Sequence, residues 1–296
     1  MSVTIAYRLA NVVADVERRL ATWDDADVAA RLWAKDPTLW ADEPQPELAD
    51  RLGWLGLPER MEGLLDELET FGAEVAAAGY RHVIVLGMGG SSLAPEVYQA
   101  TFGNAPGYPE LRVLDSTHPG AVASLSAAID LDRSLFVVSS KSGTTLETLS
   151  FFRYFWSHVA AKSADPGAHF VAVTDPGSTL AELAAARGFR RIFLAPPDVG
   201  GRYSALTEFG LVPAAAIGAD LDALATAATS AAAASGVDVA ASQNPGLRLG
   251  ATLDELTLAG RDKVTFLTSD GLAAFPAWIE QLIAESTGKD QTGIVP

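Results

Sequence analysis

Apolar and polar positions follow two different rhythms along this chain, and the change of rhythm near residue 80 divides it. In Val12-Val13-Ala14-Asp15-Val16-Glu17-Arg18, and again from Met61 to Phe71, apolar residues recur three and four apart, the spacing of one helical face. Residues 1–80 are therefore expected to be a helical region, with Trp33, Trp40 and Trp54 capping a core and Asp42-Glu43-Pro44-Gln45-Pro46 interrupting it. From residue 81 short β-branched runs alternate with helical stretches. The pattern predicts strands at 82–87, 111–114, 134–139, 169–174, 191–195 and 263–268. It predicts helices at 92–101, 120–129, 145–162, 178–187, 205–216, 220–235 and 272–286. Such alternation builds right-handed βαβ crossovers, hence an α/β fold: a doubly wound, mostly parallel sheet preceded by an N-terminal helical region. Ligands of such sheets bind at the carboxyl ends of the strands, which directs attention to the loops after strands one, three and five.

Composition narrows the chemistry. The 296 residues are 49% hydrophobic and 20% charged, which is too apolar for disorder. The longest apolar runs fall far short of the roughly 20 residues of a membrane span, and no membrane partner is expected. The N-terminus has no basic stretch followed by an apolar core and a small-residue cleavage site, so the expected compartment is the cytoplasm. With no cysteine there is no thiolate nucleophile, disulfide or Cys-built metal site. His82, His118, His158 and His169 show no metal-ligand spacing, so no metal is expected. A formal charge of −16 repels a phosphate backbone and disfavours nucleic acid. The excess is uneven, since residues 1–80 hold 16 acidic against 7 basic residues. A small anionic ligand stays compatible with this charge where dipoles and one or two cations are concentrated locally.

Four motifs sit where ligand loops belong. Gly87-Met88-Gly89-Gly90-Ser91-Ser92 follows the first strand and opens a helix, so its backbone N–H groups can approach an anion. A dinucleotide fingerprint would need Gly where Ser92 stands, although Asp115 imitates its ribose-binding acid. At the end of the third strand, Ser139-Ser140-Lys141-Ser142-Gly143-Thr144-Thr145-Leu146-Glu147-Thr148 places five hydroxyls and a glycine in its first seven positions and opens a long helix. Side-chain O–H and backbone N–H donors of that density suit phosphate oxygens. The competing reading is an N-cap, for which one hydroxyl would suffice. Lys141, as a loop lysine, is read as reaching solvent. Val199-Gly200-Gly201-Arg202-Tyr203-Ser204 follows the fifth strand, with paired glycines bringing backbone near a ligand and Arg202 as a planar cation. Late in the chain, Gln281 and Glu285 lie four apart and so share a helical face just before Gly288-Lys289. In isolation Glu285 reads as a solvated helix-end carboxylate.

In this order, from about Val83 to Pro296, the four motifs resemble the glucose-6-phosphate isomerase family, within the sugar-isomerase (SIS) fold group. The resemblance implies a small-molecule sugar phosphate as ligand, interconversion of glucose 6-phosphate and fructose 6-phosphate, and no cofactor. It implies phosphate contacts from Ser140, Ser142, Thr144 and Thr145, with Lys141 counted in the same substrate-binding set. It places Gly90 and Ser91 along the sugar, Arg202 facing the reacting carbons, Gln281 orienting substrate, and Glu285 as the acid/base. Residues 81–288 would form the SIS-type domain. Family members continue past Gly293-Ile294-Val295-Pro296 into a second sheet domain carrying a ring-opening His and a C-terminal Lys. The chain is accordingly expected to be the first portion of an isomerase, with 289–296 the start of that second domain and a homodimer at full length. His118 and His158 lie in no matching motif. Residues 1–80 resemble the segment joining a transaldolase to an isomerase in bifunctional fusions. Two alternatives remain: a non-catalytic sugar-phosphate-binding module, which would need neither Glu285 nor Arg202, and a nucleotide-dependent oxidoreductase using Gly87 to Ser92.

Overall fold

A computed structural model describes residues 5–43, 45, 47–48, 50–289 and 291–296. Pro44 and Pro46 of the expected interruption, and Asp290, lie outside the described residues. The N-terminal region supplies α1 (Val13–Asp25), α2 (Val28–Trp33), α3 (Leu57–Glu62) and α4 (Leu65–Ala77). The run from Met61 to Phe71 is thus two helices, parted at Gly63-Leu64. Five strands follow: β1 (His82–Leu86), β2 (Glu110–Leu114), β3 (Ser134–Ser139), β4 (Phe170–Thr174) and β5 (Arg191–Leu194). Between them run α5 (Gly90–Phe102), α6 (Pro119–Ala128), α7 (Leu146–Ala160) and α8 (Thr179–Ala186). The chain continues through α9 (Glu208–Ala216), α10 (Leu221–Ala234), α11 (Pro245–Leu258) and α12 (Phe275–Thr287). No helix among the described residues is long and apolar enough to cross a membrane.

Every strand pair is parallel and the order is β2-β1-β3-β4-β5. Because β3 and β4 are covered on both faces, they read as unbroken apolar runs, and alternate residues enter different cores. Val83, Val85, Leu135, Val137, Val171 and Val173 join Leu68, Phe71 and Val75 of α4 and most of α9. Ile84, Leu86, Phe136, Val138, Phe170 and Ala172 point the other way, into Phe151, Phe152 and Phe155 of α7 and Leu180 of α8. The doubly wound fold is formed, and α4 from the first 80 residues belongs to one of its cores. A smaller core joins Val12, Val16 and Leu20 to Ala241 and Ala251 of α11.

Three expectations are corrected. Residues 263–268 form no strand. Leu267 is 94% exposed, and this stretch makes only a parallel bridge from Lys263 to Val295, because no sheet edge lies alongside to complete a ladder. Helix α11 falls in a stretch for which the pattern predicts no element, although Asn244 caps it by accepting from the Gly246 and Leu247 N–H groups and Pro245 starts it. Trp40 caps no core, being 51% exposed. Trp33 instead donates its indole N–H to the Ser235 carbonyl at 2.8 Å, and Trp54 stacks on Tyr203.

Candidate active site

The strand order reverses between β1 and β3, and a cavity of about 360 Å³ opens there at the carboxyl ends of the strands. Met88, Gly90 and Ser91 line it from the loop after β1; Ser139, Ser140, Lys141, Ser142, Thr145 and Thr148 line it from β3 and α7. Asp175 enters from the loop after β4, and Gly201 from the turn after β5. Attention to loops one, three and five therefore missed one contributor, Asp175.

Two glycines let these loops meet. A Cβ at Gly90 would collide with the Gly201 carbonyl and crowd the Arg202 N–H, so glycine is what allows the start of α5 to touch the turn carrying Arg202. Gly143 has φ +72°, and a side chain there would run into the Leu180 N–H and Thr179 at the start of α8. Thr179 Oγ1 donates to the Gly143 carbonyl at 2.9 Å, fastening the hydroxyl-rich loop to α8.

Inside that loop the hydroxyls pair with one another. Ser140 Oγ lies 3.1 Å from Thr145 Oγ1, and Ser142 Oγ lies 2.8 Å from Thr144 Oγ1. Thr145 occupies the N-cap position of α7, yet its side chain makes no bond to the helix amides. The loop is therefore not an N-cap in the side-chain sense, and the positive end of the α7 dipole stays available to an anion. Thr148 Oγ1 is buried without a hydrogen-bond partner among the described residues and lines the same cavity.

Lys141 does not reach solvent as expected of a loop lysine. Its ammonium donates to Asp175 Oδ2 at 2.6 Å and to the Pro197 carbonyl at 2.9 Å. A carboxylate within reach outcompetes bulk water here because the pair is partly buried, with 29% and 18% of the two side chains exposed. Asp175 Oδ1 is left buried and unpartnered among the described residues.

Beside the cavity stands a second group. Arg202 Nη1 donates to Glu285 Oε2 at 3.2 Å, and Gln281 Nε2 donates to Glu285 Oε1 at 3.1 Å. Arg202 Nε donates to Ser286 Oγ at 2.9 Å. The spacing of Gln281 and Glu285 on α12 makes their contact local, whereas Arg202 reaches them from the turn after β5. Gly89, with φ +54°, brings the loop after β1 against the Gln281 amide. Glu285 is thus held on both oxygens and is no free helix-end carboxylate, although half of its side chain remains exposed. Gly90, Ser91, Ser140, Lys141, Ser142 and Thr145 share the cavity; Thr144 is tied to it through Ser142; Arg202, Gln281 and Glu285 form the adjoining cluster. Sequence reasoning gave no role to Asp175, Thr148, Tyr203 or Ser286. Tyr203 and Thr148 stood inside quoted motifs and Ser286 directly after Glu285, while nothing in the sequence marked Asp175.

An all-parallel sheet in this order, opening its cleft at the switch point between two glycine- and hydroxyl-rich loops, defines a doubly wound α/β ligand-binding domain. Residues 57–293 match the phosphoglucose isomerase family, and the chain belongs to it. It is 31% identical over 306 residues to a glucose-6-phosphate isomerase of Rubrobacter xylanophilus, covering 99% of this chain and 67% of that protein. A glucose-6-phosphate isomerase of Symbiobacterium thermophilum is 36% identical over 266 residues, covering 82% of this chain and 57% of its own length. Among solved structures, a hypothetical protein of Thermus thermophilus superposes with a TM-score of 0.79 at 31% identity, covering 96% of this chain and 66% of that one. The chain therefore spans between about half and two thirds of the relatives it matches.

Proposed function

We propose that the full-length protein interconverts glucose 6-phosphate and fructose 6-phosphate, moving a proton between C2 and C1 through a cis-enediol(ate). One observation carries this reading: Glu285 is held between the Gln281 amide and the Arg202 guanidinium, next to a hydroxyl-lined cavity at a helix N-terminus. The names of the relatives point the same way.

In this proposal the phosphate sits on Ser140, Ser142, Thr144 and Thr145 and the α7 amides, remote from the reacting carbons. Its binding energy orients the sugar. Gly90 and Ser91 line the sugar. The proton at C2 is weakly acidic and the intermediate carries negative charge at its oxygens, so a carboxylate base and a nearby cation are both required. Glu285 takes and returns the proton, Arg202 stabilises the developing oxyanion, and Gln281 holds Glu285 in line. Lys141, already neutralised by Asp175, donates hydrogen bonds toward the phosphate rather than supplying net charge. No electrons leave the substrate, so the scheme needs no redox cofactor. We place the reaction in the cytoplasm, within glycolysis and gluconeogenesis, and in a homodimer of the full-length protein.

Two results test the parts. Replacing Ser142 and Thr144 together by Ala is expected to weaken binding of fructose 6-phosphate and of inorganic phosphate in parallel by calorimetry; unchanged affinity for both removes the loop from phosphate binding. Arg202→Ala is expected to lower kcat of the full-length protein by about 10²–10³-fold, as loss of an oxyanion donor does. A non-catalytic binding module would lose affinity in the loop variant in the same way, but would keep its sugar-phosphate affinity in Arg202→Ala with no turnover to lose.

A further inference from the structure

The Arg202 guanidinium rests on one hydroxyl that a second hydroxyl holds, and neither performs a step of the proposed reaction. Arg202 Nε donates to Ser286 Oγ at 2.9 Å, and the Tyr203 hydroxyl shares the same Oγ at 2.8 Å. Behind Tyr203 stands Trp54, stacked at 5.5 Å between centroids with 14° between the ring planes. Arg202 Cζ lies 5.3 Å from the Tyr203 ring centroid, so the ring of this tyrosine faces the cation while its hydroxyl holds the serine that the cation donates to. Three segments converge on this spot: the stretch before α3, the turn after β5 and the last turn of α12.

The orientation of Ser286 is informative. A serine within a helix ordinarily returns its hydroxyl to the carbonyl four residues earlier, as Thr287 does to Ile283 at 2.9 Å. Ser286 turns outward to Arg202 and Tyr203 instead. A hydroxyl has one proton and two lone pairs, so accepting from Arg202 while bonded to Tyr203 leaves its rotor little freedom. With Nε held by Ser286 and Nη1 by Glu285, two separate hydrogen bonds restrain the orientation of the guanidinium. An arginine left unheld would lose much of its alignment to side-chain entropy, because so long a chain has many rotamers.

We propose that Ser286 and Tyr203, backed by Trp54, are positioning residues that aim the Arg202 guanidinium at the reacting oxygens. This rests on the reading of Arg202 as the cation of an isomerase site. The residues act through Arg202 and need no contact with substrate. Their loss should therefore lower kcat while leaving KM nearly unchanged, because phosphate and sugar are gripped elsewhere.

The test has two arms. In nitrogen-edited NMR of the 296-residue chain, the Arg202 Nε–H signal, assigned by its disappearance in Arg202→Lys, should exchange with water about tenfold faster in Ser286→Ala, the size of one lost hydrogen bond. It should regain protection in Ser286→Thr. Unchanged exchange in Ser286→Ala overturns the proposal. In the full-length protein, Ser286→Ala should lower kcat about tenfold and Tyr203→Phe a few-fold, each with KM within about twofold. Ser286→Thr should recover most of the loss. In an Arg202→Lys background, which lacks the Nε–H, Ser286→Ala should have no further effect, since the two side chains act as a unit. An equal further loss there overturns the positioning role and assigns Ser286 an independent one. Failure of the isomerase reading is separately visible: if Arg202→Ala itself leaves turnover intact, Arg202 is not the catalytic cation, and the catalytic half of the proposal falls even where the NMR arm reports an anchored guanidinium.

Discussion

Glu285→Gln is expected to lower kcat of the full-length protein by on the order of 10²–10⁴-fold with substrate affinity nearly retained, the signature of a lost general base. The change is close to isosteric. An amide oxygen can still accept from Arg202 Nη1, and the Gln281 contact can be kept by flipping the Gln281 amide so that its Oε1, which has no partner among the described residues, accepts from the new N–H, so the local geometry survives while the proton acceptor is lost. Stopped-time assays of fructose 6-phosphate formation, together with calorimetric affinity for the same sugar, separate the two quantities. Turnover within a few-fold of the parent would remove Glu285 from proton transfer and leave its contacts with Arg202 and Gln281 as surface structure. Exchange of the C2 proton with solvent deuterium offers a second reading, since that exchange requires the same base and should fall in step with kcat.

The second large effect lies in the core that carries the cleft. Phe170, fully buried at the start of β4, packs against the rings of Phe136 at 5.2 Å, Trp156 at 5.2 Å, Phe189 at 5.4 Å and Phe152 at 5.5 Å. Neighbours drawn from β3, α7 and the stretch before β5 cannot all collapse inward together. Phe170→Ala should accordingly cost about 3–5 kcal/mol, the range for an aromatic truncation that leaves a cavity. Urea unfolding should show a lower midpoint at an unchanged slope. A loss below about 1 kcal/mol would mean that the cluster repacks. The consequence reaches function because β4 ends at Thr174, next to Asp175, and β3 ends at the hydroxyl loop. Loosening this core should therefore weaken phosphate binding even in molecules that remain folded.

The central parallel strands β1, β3 and β4 were legible because each is buried on both faces and so forms a short, dense apolar run with a helix to follow. Residues 134–139 and 170–174 are cases in point. The stretch at 263–268 has the same alternation but pairs only through Lys263, showing that local pattern supplies strand tendency while a ladder requires a partner edge. Helix α11 was passed over for the opposite reason. Its Asn244-Pro245 start is a clear signal, but the Ala-, Gly- and Ser-rich approach before it resembles loop.

By itself the sequence determined the α/β alternation, the two ligand loops and the Gln281-Glu285 face of α12, since each depends on residues within a few positions of one another. Chain-local geometry is enough to set hydroxyl density before a helix or an i,i+4 pair. What only the tertiary structure decided is which distant groups meet. Glu285 becomes a held carboxylate because Arg202 approaches from 83 residues away, and Lys141 turns from solvent to Asp175, 34 residues on. Ser286 leaves its own helix for Arg202 and Tyr203. Such pairings follow from the order of the strands and from the Gly90 to Gly201 contact. They depend on how β2-β1-β3-β4-β5 brings its loops to one edge, and loop neighbours across a sheet leave no trace in local hydrophobic periodicity.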